Sequence, residues 1–487
     1  MASKLSLAET ETYYANSSAA RTLLLVTSCL GAMIGPLSLA TVNLALPSIA
    51  LDFSADAKTI SWIPMGFLLS SVMFMLPAGK LADIYGRKLF LLIGVVFSAL
   101  LSVSASMVQS AELLIFLRFL QGFSMAIIFG SGMAILVSVF AENNRGMAIG
   151  LYSGSVYFAL TVSPFLGGWF TEHLGWRTVF WIQVPLSIVV FLLVAFATPG
   201  EWRKENREPF DWTGSAIFAG WAATFVYGVS GLPNWSSVVT LLISTCYLCL
   251  FFWHQSRAKN PLISTRLFTQ NRVFAFSLSA SVLMYSVNYP MSFLLSIFLQ
   301  LAKGLSPTEA GLIMLSQAFV MALIAPIAGR ISDRFEPRIV ATLGAMCCIF
   351  GFTIIWLVSS MVAAWVIGVG LICVGFGFGF FSTPNNSAAM GSVKKDDLGT
   401  ASAAVNLART VGNLFGMSLM ALVIHAVIGP REFTPELNAE LLHSVHIWML
   451  ICIVSASVAA VFSFARGNTR AKKSRLQEPA FPDQDNP

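Results

Sequence analysis

Fourteen apolar runs alternate with short polar stretches along the chain, near 22–46, 60–79, 89–107, 113–138, 147–170, 178–198, 213–230, 238–253, 273–299, 311–329, 339–358, 363–383, 400–427 and 446–465. Runs of about 20 apolar residues predict helices that cross a bilayer, because a helix of that length spans the hydrocarbon core. The polar stretches carry a second pattern. Of the 29 Lys and Arg residues, Lys58, Arg177, Lys303 and Arg431 fall in the connections on one side, Arg118 and Arg409 lie inside spans, and all others lie on the side that holds both termini. Basic residues are retained on the cytoplasmic side, so both termini are expected there.

A repeat organises the spans. Gly79-Lys80-Leu81-Ala82-Asp83-Ile84-Tyr85-Gly86-Arg87-Lys88 returns in degraded form 250 positions later as Gly329-Arg330-Ile331-Ser332-Asp333-Arg334-Phe335-Glu336-Pro337-Arg338. Each copy closes an apolar run, carries an acid at its fifth place and holds three basic residues. Six helices with short loops need only about 200 residues, so the offset leaves room for two more spans, 213–230 and 238–253. The pattern predicts an all-α integral membrane protein of 14 transmembrane helices: six, two inserted, then six, with pseudo-twofold related halves as in many secondary transporters. The divisions are a tail over 1–21, a six-helix bundle over 22–198, a linker and two inserted helices over 199–272, a second bundle over 273–465 and a tail over 466–487.

Composition agrees: hydrophobic residues make up 56% of the chain, charged residues 11%, and mean hydropathy is +0.76, against roughly 25% charged in soluble domains. The net charge of +6 follows the topology and gives no nucleic-acid-binding face. All seven cysteines fall in apolar runs, as packing residues do. Cys246 and Cys249 form a CxxC without nearby His partners, which does not make a metal site. The first twenty residues read as a retained tail and not a cleaved signal.

Four segments carry further information. The first is Gly79–Lys88, with Asp83, Gly86, Arg87 and Lys88 in their spacing; the second is Arg118-Phe119-Leu120-Gln121-Gly122 in the fourth span. The third, in the fifth span, is Gly150-x3-Gly154 followed by Ser163-Pro164-Phe165-Leu166-Gly167-Gly168. The fourth is Asn406-x2-Arg409-x2-Gly412-x3-Gly416, after Pro384-Asn385-Asn386. Together they resemble the major facilitator superfamily, and within it the 14-span drug:proton antiporters of the EmrB/QacA type, over Arg21 to Arg466. Ser163 stands where the antiporter motif has Gly. The resemblance implies the major facilitator fold, alternating access and proton-coupled multidrug efflux at the plasma (inner) membrane. It implies a small-molecule substrate, the lipid bilayer and no nucleic acid as partners, a monomer, no catalytic residues or metal, and no cofactor beyond a proton gradient.

Each motif also has a physical reading. Gly79 and Gly86 suit a tight loop and close helix approach. Asp83 can pair with Arg87 and meet the positive end of a neighbouring helix, a latch that breaks when the halves rock, with Asp333 as its counterpart. In the family such a latch is held to favour the outward-facing state. Gly150, Gly154, Gly167 and Gly168 permit close packing, and Pro164 a bend; in the family this stretch seals the halves and goes with antiport. Arg118 and Arg409 cost several kcal/mol in hydrocarbon unless they face a cavity or partner. They contact an anionic or polarisable substrate or tune a proton step, or else they hydrogen-bond backbone carbonyls of neighbouring helices.

Absences matter as much. No Asp or Glu falls in the middle of a span, and a buried carboxylate is the usual partner of a cationic drug. Cation exporters of the family carry an Asp early in the first helix, where this chain has Ser38 before Asn43-Leu44-Ala45-Leu46-Pro47. The expected cavity is polar without being acidic. Its candidates are Ser38, Asn43, Arg118, Gln121, Tyr152, Tyr157, Asn288, Tyr289, Asn385, Asn386, Asn406 and Arg409, with Ser38 and Asn288 in equivalent places of the two halves. Two functions fit: proton-driven export of amphipathic neutral, zwitterionic or anionic compounds, or facilitated passage or import of a small organic anion or vitamin-like metabolite. A membrane enzyme or sensor lacks an intramembrane His/Asp/Glu cluster, a nucleotide loop and a soluble domain.

Overall fold

The computed structural model describes residues 7–140, 142–203, 209–358, 363–393, 398–433 and 435–467. The regular elements among them are helices: α1 (Leu7–Asn16), α2 (Ser18–Phe53), α3 (Ala57–Tyr85), α4 (Arg87–Ser106), α5 (Ala111–Val139), α6 (Glu142–Leu174), α7 (Gln183–Leu192), α8 (Trp212–Ser230), α9 (Trp235–Arg257), α10 (Thr265–Gln270), α11 (Arg272–Ile297), α12 (Pro307–Arg334), α13 (Pro337–Trp356), α14 (Trp365–Gly391), α15 (Leu398–Val427) and α16 (Asn438–Ala465). Six residues of 3₁₀ helix before α7 (Trp176–Trp181) and one turn of π helix after it (Leu193–Ala197) extend that span.

Polar residues between the apolar runs set the helix starts. Ser17, Asp56, Ser110, Asp211 and Asn271 each accept a hydrogen bond from a backbone N–H of the first turn, and Ser306 with Glu309 forms a complete capping box on α12. Such caps satisfy donors that the helix leaves open. The turn between α3 and α4 needs Gly86: its φ is +128°, and a Cβ there would lie 2.7 Å from the Glu201 carboxyl carbon. Glu201, from the stretch after α7, accepts hydrogen bonds from the backbone N–H groups of Lys88 and Leu89 at 2.8 and 3.1 Å. It is thus a carboxylate on the positive end of α4.

Two halves repeat one packing scheme. In the first, α2 lies on α6, α3 on α5, and α4 on α5 and α7; in the second, α11 lies on α15, α12 on α14, and α13 on α14 and α16. The halves meet between α2 and α11 and along two seams, α3 with α15 and α6 with α12. The α8–α9 hairpin packs through α8 on both α3 and α15, where Phe225 stacks on Phe415 at 5.6 Å.

We call the end with the Gly86 turn the basic end and the other the far end. At the far end the halves are sewn together. The backbone N–H of Thr308 donates to Glu172 at 3.0 Å, that of Ala57 to Arg431 O at 3.0 Å, and Gln300 to Leu44 O at 3.1 Å. A Cβ on Gly168 would sit 2.2 Å from Pro307 O, and one on Gly311 2.5 Å from Pro164 O, so α6 and α12 touch backbone to backbone.

Three expectations change. Twelve helices among the described residues are long and apolar enough to cross a membrane, not fourteen. The two that fall outside are α6 and α8, whose apolar residues are diluted by Gly, Ser, Thr and Tyr. The stretch 1–21 is not a plain tail: α1 occupies part of it and α2 begins at Ser18, with Tyr14 buried against Trp202 at 5.4 Å and its hydroxyl donating to Pro199 O. Arg466, placed with the second tail, is buried. Residues 204–208 of the linker and 468–487 of that tail lie outside the described residues.

Candidate functional site

A cavity of about 150 Å³ lies between the halves, midway along the helices. Its floor and walls come from both halves: Pro36 and Asn43 on α2, Phe67 and Ser71 on α3, Phe129 on α5, Leu160 and Pro164 on α6, Tyr285, Asn288 and Tyr289 on α11, and Gln317 on α12. Four methionines, Met75, Met125, Met314 and Met321, soften the wall. The face that α15 presents is the most polar. Asn406, Arg409, Thr410 and Asn413 follow the i, i+3, i+4, i+7 spacing of one helical face, and all four line the cavity. No Asp or Glu is among the lining residues.

Arg409 is the one cation of this lining. Its guanidinium carbon stands 5.2 Å from the Tyr285 ring centre and 5.9 Å from that of Tyr157, and no described residue forms an ion pair or hydrogen bond with it. Two aromatic faces hold the cation electrostatically and leave its N–H groups free for a ligand. Below it, the Tyr157 hydroxyl meets Ser382 Oγ at 2.8 Å and the Tyr285 hydroxyl at 3.5 Å, joining α6 to the second half. Across the cavity, the Tyr289 hydroxyl donates to Asn43 Oδ1 at 3.1 Å, Ser296 Oγ donates to Asn43 O, and Gln317 donates to Asn288 Oδ1.

Arg118 is a different kind of residue. Its side chain is fully buried inside the first bundle, 4.5 Å over the Phe67 ring, and Nη1 donates to Ser38 O, Ser38 Oγ and Gln121 Oε1 at 3.1, 3.0 and 2.9 Å. Gln121 in turn donates to Ser102 Oγ, which Gln183 also reaches. Of the two arginines inside spans, then, the cavity holds Arg409 and the helix packing holds Arg118.

The remaining candidates divide the same way. Asn43, Asn288, Tyr289, Asn406 and Arg409 line the cavity, whereas Ser38, Arg118, Gln121, Tyr152, Tyr157, Asn385 and Asn386 do not. Ser38 and Asn288 share a repeat position, yet Ser38 turns toward Arg118. Tyr152 is buried with its hydroxyl unpartnered. Asn385 donates to Ser277 O and Ser281 Oγ and accepts from Arg466 at 2.7 Å. That cluster ties α11, α14 and the end of α16. Burial pushes the Arg466 guanidinium down to about 10.

In the loop motif, Arg87 Nε donates to Asp83 at 2.7 Å and Nη1 to Ala134 O at 2.8 Å, and Lys88 Nζ donates to Thr198 O. Each of these partners belongs to the first half. The Gly79 Cα faces Gly130, a close approach of α3 and α5. Asp333 lies on α12, and its side chain is outside those described. In the α6 motif, Gly167 and Gly168 meet α2 and α12, Ser163 Oγ donates to Ala159 O, and a Cβ on Gly150 or Gly154 would meet nothing within 4 Å.

Tyr285, Gln317, Thr410, Asn413 and Arg466 were missed from sequence. The helical spacing from Asn406 already marked Thr410 and Asn413, and Gln317 is an amide in an otherwise apolar stretch. Arg466 carried no such signal, since it reads as the first basic residue after the last span.

A bundle of apolar helices in two repeated halves around a central cavity defines a membrane transporter. The sequence matches the family described as Major Facilitator Superfamily over residues 28–417, and the chain belongs to it. It is a multi-pass membrane transporter and not an enzyme. It is 28% identical over 411 residues to the multidrug resistance protein Stp of Mycobacterium tuberculosis (strain CDC 1551 / Oshkosh), covering 83% of this chain and 76% of that protein. It is 29% identical over 408 residues to the riboflavin transporter RibZ of Clostridioides difficile (strain 630), covering 82% and 88%. Among solved structures, a bacterial homolog of the human lysosomal transporter Spinster aligns with a TM-score of 0.65 at 16% identity, covering 96% of this chain and all of that one.

Proposed function

We propose that this transporter exports amphipathic neutral, zwitterionic or anionic compounds by alternating access, coupled to protons, as a multidrug-resistance carrier. The observation that carries the proposal is the cavity lining: one unpaired guanidinium, several amides and hydroxyls, methionine and phenylalanine walls, and no carboxylate. A cationic drug would find repulsion there, an anion a partner. Similarity to Stp supports export of varied compounds. We also propose that α6 and α8 cross the membrane with the twelve more apolar spans, giving six, two inserted and six; their 33 and 19 residues are long enough, at about 1.5 Å per residue. The basic end and both termini are then cytoplasmic.

A second function has its own support. Similarity to RibZ and the lone Arg409 favour facilitated passage of a small organic anion or vitamin-like metabolite. Everted vesicles containing the protein and a pH-reporting dye separate the two. Proton release on adding a neutral or anionic amphiphile, absent in Arg409→Ala, is the expected result. Movement of the compound down its own gradient without proton release would replace the exporter with the facilitator.

A further inference from the structure

Four polar residues of α15 line the cavity, and three of them have no partner. Thr410 Oγ1 donates to Asn406 O at 3.0 Å. The side chains of Asn406, Arg409 and Asn413 make no hydrogen bond or ion pair among the described residues, and Asn413 Oδ1 is buried with no donor to accept from. The rest of the polar lining is engaged. Tyr289 donates to Asn43, and Gln317 to Asn288. The hydroxyls of Tyr285, Ser71 and Ser292 likewise have partners, in Tyr157 or in backbone carbonyls. An amide among apolar side chains is unfavourable until some group takes the place of its partner. The three open side chains of α15 therefore have their counterpart in the ligand.

Their spacing describes that counterpart. Asn406 and Asn413 are seven residues apart, about 10 Å along the helix, and Arg409 lies between them, about 4–6 Å from each. A carboxamide both donates and accepts, so a carbonyl or a hydroxyl serves beside either amide, whereas Arg409 takes an anionic oxygen. The first half presents no unpartnered polar side chain to the cavity. It contributes an apolar wall of Leu39, Phe67, Met75, Met125, Phe129 and Leu160.

From this asymmetry we infer that α15 reads the polar edge of the substrate, and that the substrates are rigid fused-ring acids with a carbonyl or hydroxyl group on each side of the ionised centre. Their apolar face is turned to the first half. The inference rests on the transport function proposed above and narrows its substrate class. A rigid ring system brings all three groups to the helix at once, without the ordering cost that a flexible chain carries. A chain with a single charged head would meet Arg409 and leave both amides unpaired.

The test compares two fluorescent acids at equilibrium with the purified full-length protein. Both are anthracenecarboxylic acids with the carboxylate on the middle ring, and one of them also carries a hydroxyl on each outer ring along the same edge. The dihydroxy acid should bind about 25-fold more tightly than the plain acid, about fivefold from each amide. Asn406→Ala and Asn413→Ala should each cut that ratio about fivefold, and the double substitution should erase it. None of the three should lower Tm, because neither amide bonds to another described residue. A ratio below about twofold in the unsubstituted protein, a ratio indifferent to both substitutions, or binding of neither acid overturns the inference. So does a fall in Tm, which would show that the amides hold helices together. The transport function fails on a different result, the absence of both proton release and compound movement in the vesicles, so the two stand or fall separately.

Discussion

Replacing Arg409 by Ala separates the two arginines that the sequence left equal. The guanidinium faces the cavity over Tyr285 and Tyr157 and has no hydrogen-bonding partner among the described residues. An anion about 4 Å away at an effective dielectric near 20 gains about 4 kcal/mol of Coulomb energy. Desolvation of the anion offsets roughly half, leaving about 2 kcal/mol, a loss of about 30-fold in Kd on substitution. The fold should lose only the ring contacts, about 1 kcal/mol. Arg118→Ala is the contrast, since it strands Ser38 Oγ and Gln121 Oε1 in a dry interior, which costs about 3 kcal/mol of stability. The assay is equilibrium binding of a fluorescent anionic amphiphile and its neutral ester to purified protein, with thermal unfolding alongside. The reasoning is refuted if the anion loses less than about threefold, or if the neutral ester loses as much as the anion.

Three other outcomes follow from the same geometry. Gly168→Ala, which drives a methyl into Pro307 O, should disfavour this far-end closure by about 1–3 kcal/mol, read as faster labelling of Thr308→Cys by a membrane-impermeant maleimide, whereas Gly150→Ala should change nothing. Ser38→Asp should pair with Arg118 inside the first bundle and leave cation recognition unchanged; tighter binding of a lipophilic cation to this variant would show that position 38 does reach the cavity. Burial alone would raise the Asp211 carboxyl, but hydrogen bonds from Gly214 N–H, His254 and Gln255 outweigh it and hold the group below the usual carboxylate range. Its contribution is therefore complete above its unfolded value near 3.9 and lost as pH falls through the lower folded value. Asp211→Asn should lower Tm at pH 7 by an amount that shrinks below about pH 4; a pH-independent difference would contradict this.

Much of the architecture was legible because membrane spans obey a one-dimensional rule: apolar length predicts a crossing. The rule weakens where small and polar residues are mixed into an apolar helix. α6 and α8 carry Gly, Ser, Thr and Tyr where they meet α2, α12, α3 and α15, and these residues bring their hydropathy below that of the twelve other long helices. The same limit explains the site. Polar residues in apolar runs were easy to find, yet sequence could not say which side of a helix faces the cavity. Ser38 and Asn43 are five residues apart on α2, one turned to Arg118 and the other to Tyr289. Buried cations are equally ambiguous, because Arg118 and Arg409 differ only in what surrounds them. The glycines of α6 looked like one motif, but Gly167 meets Thr41 of α2 and Gly168 meets Pro307 of α12, whereas a Cβ on Gly150 or Gly154 would meet nothing within 4 Å among the described residues, a difference set by which helices lie alongside and not by anything local.

The Glu201 cap on α4 has a consequence for how the chain is made. Lys88 and Leu89 receive their acceptor from a residue synthesised more than a hundred positions later, and Trp202 fills the space beneath Tyr14. The first half is thus completed as a folding unit at Trp202 and not where its last span ends. A ribosome that has released residues up to 203 has delivered every piece of that half before α8 emerges. Two separately translated polypeptides, cut within 204–208, should therefore reassemble in the membrane, while a cut before Glu201 gives a first fragment that must borrow its own missing cap from the second.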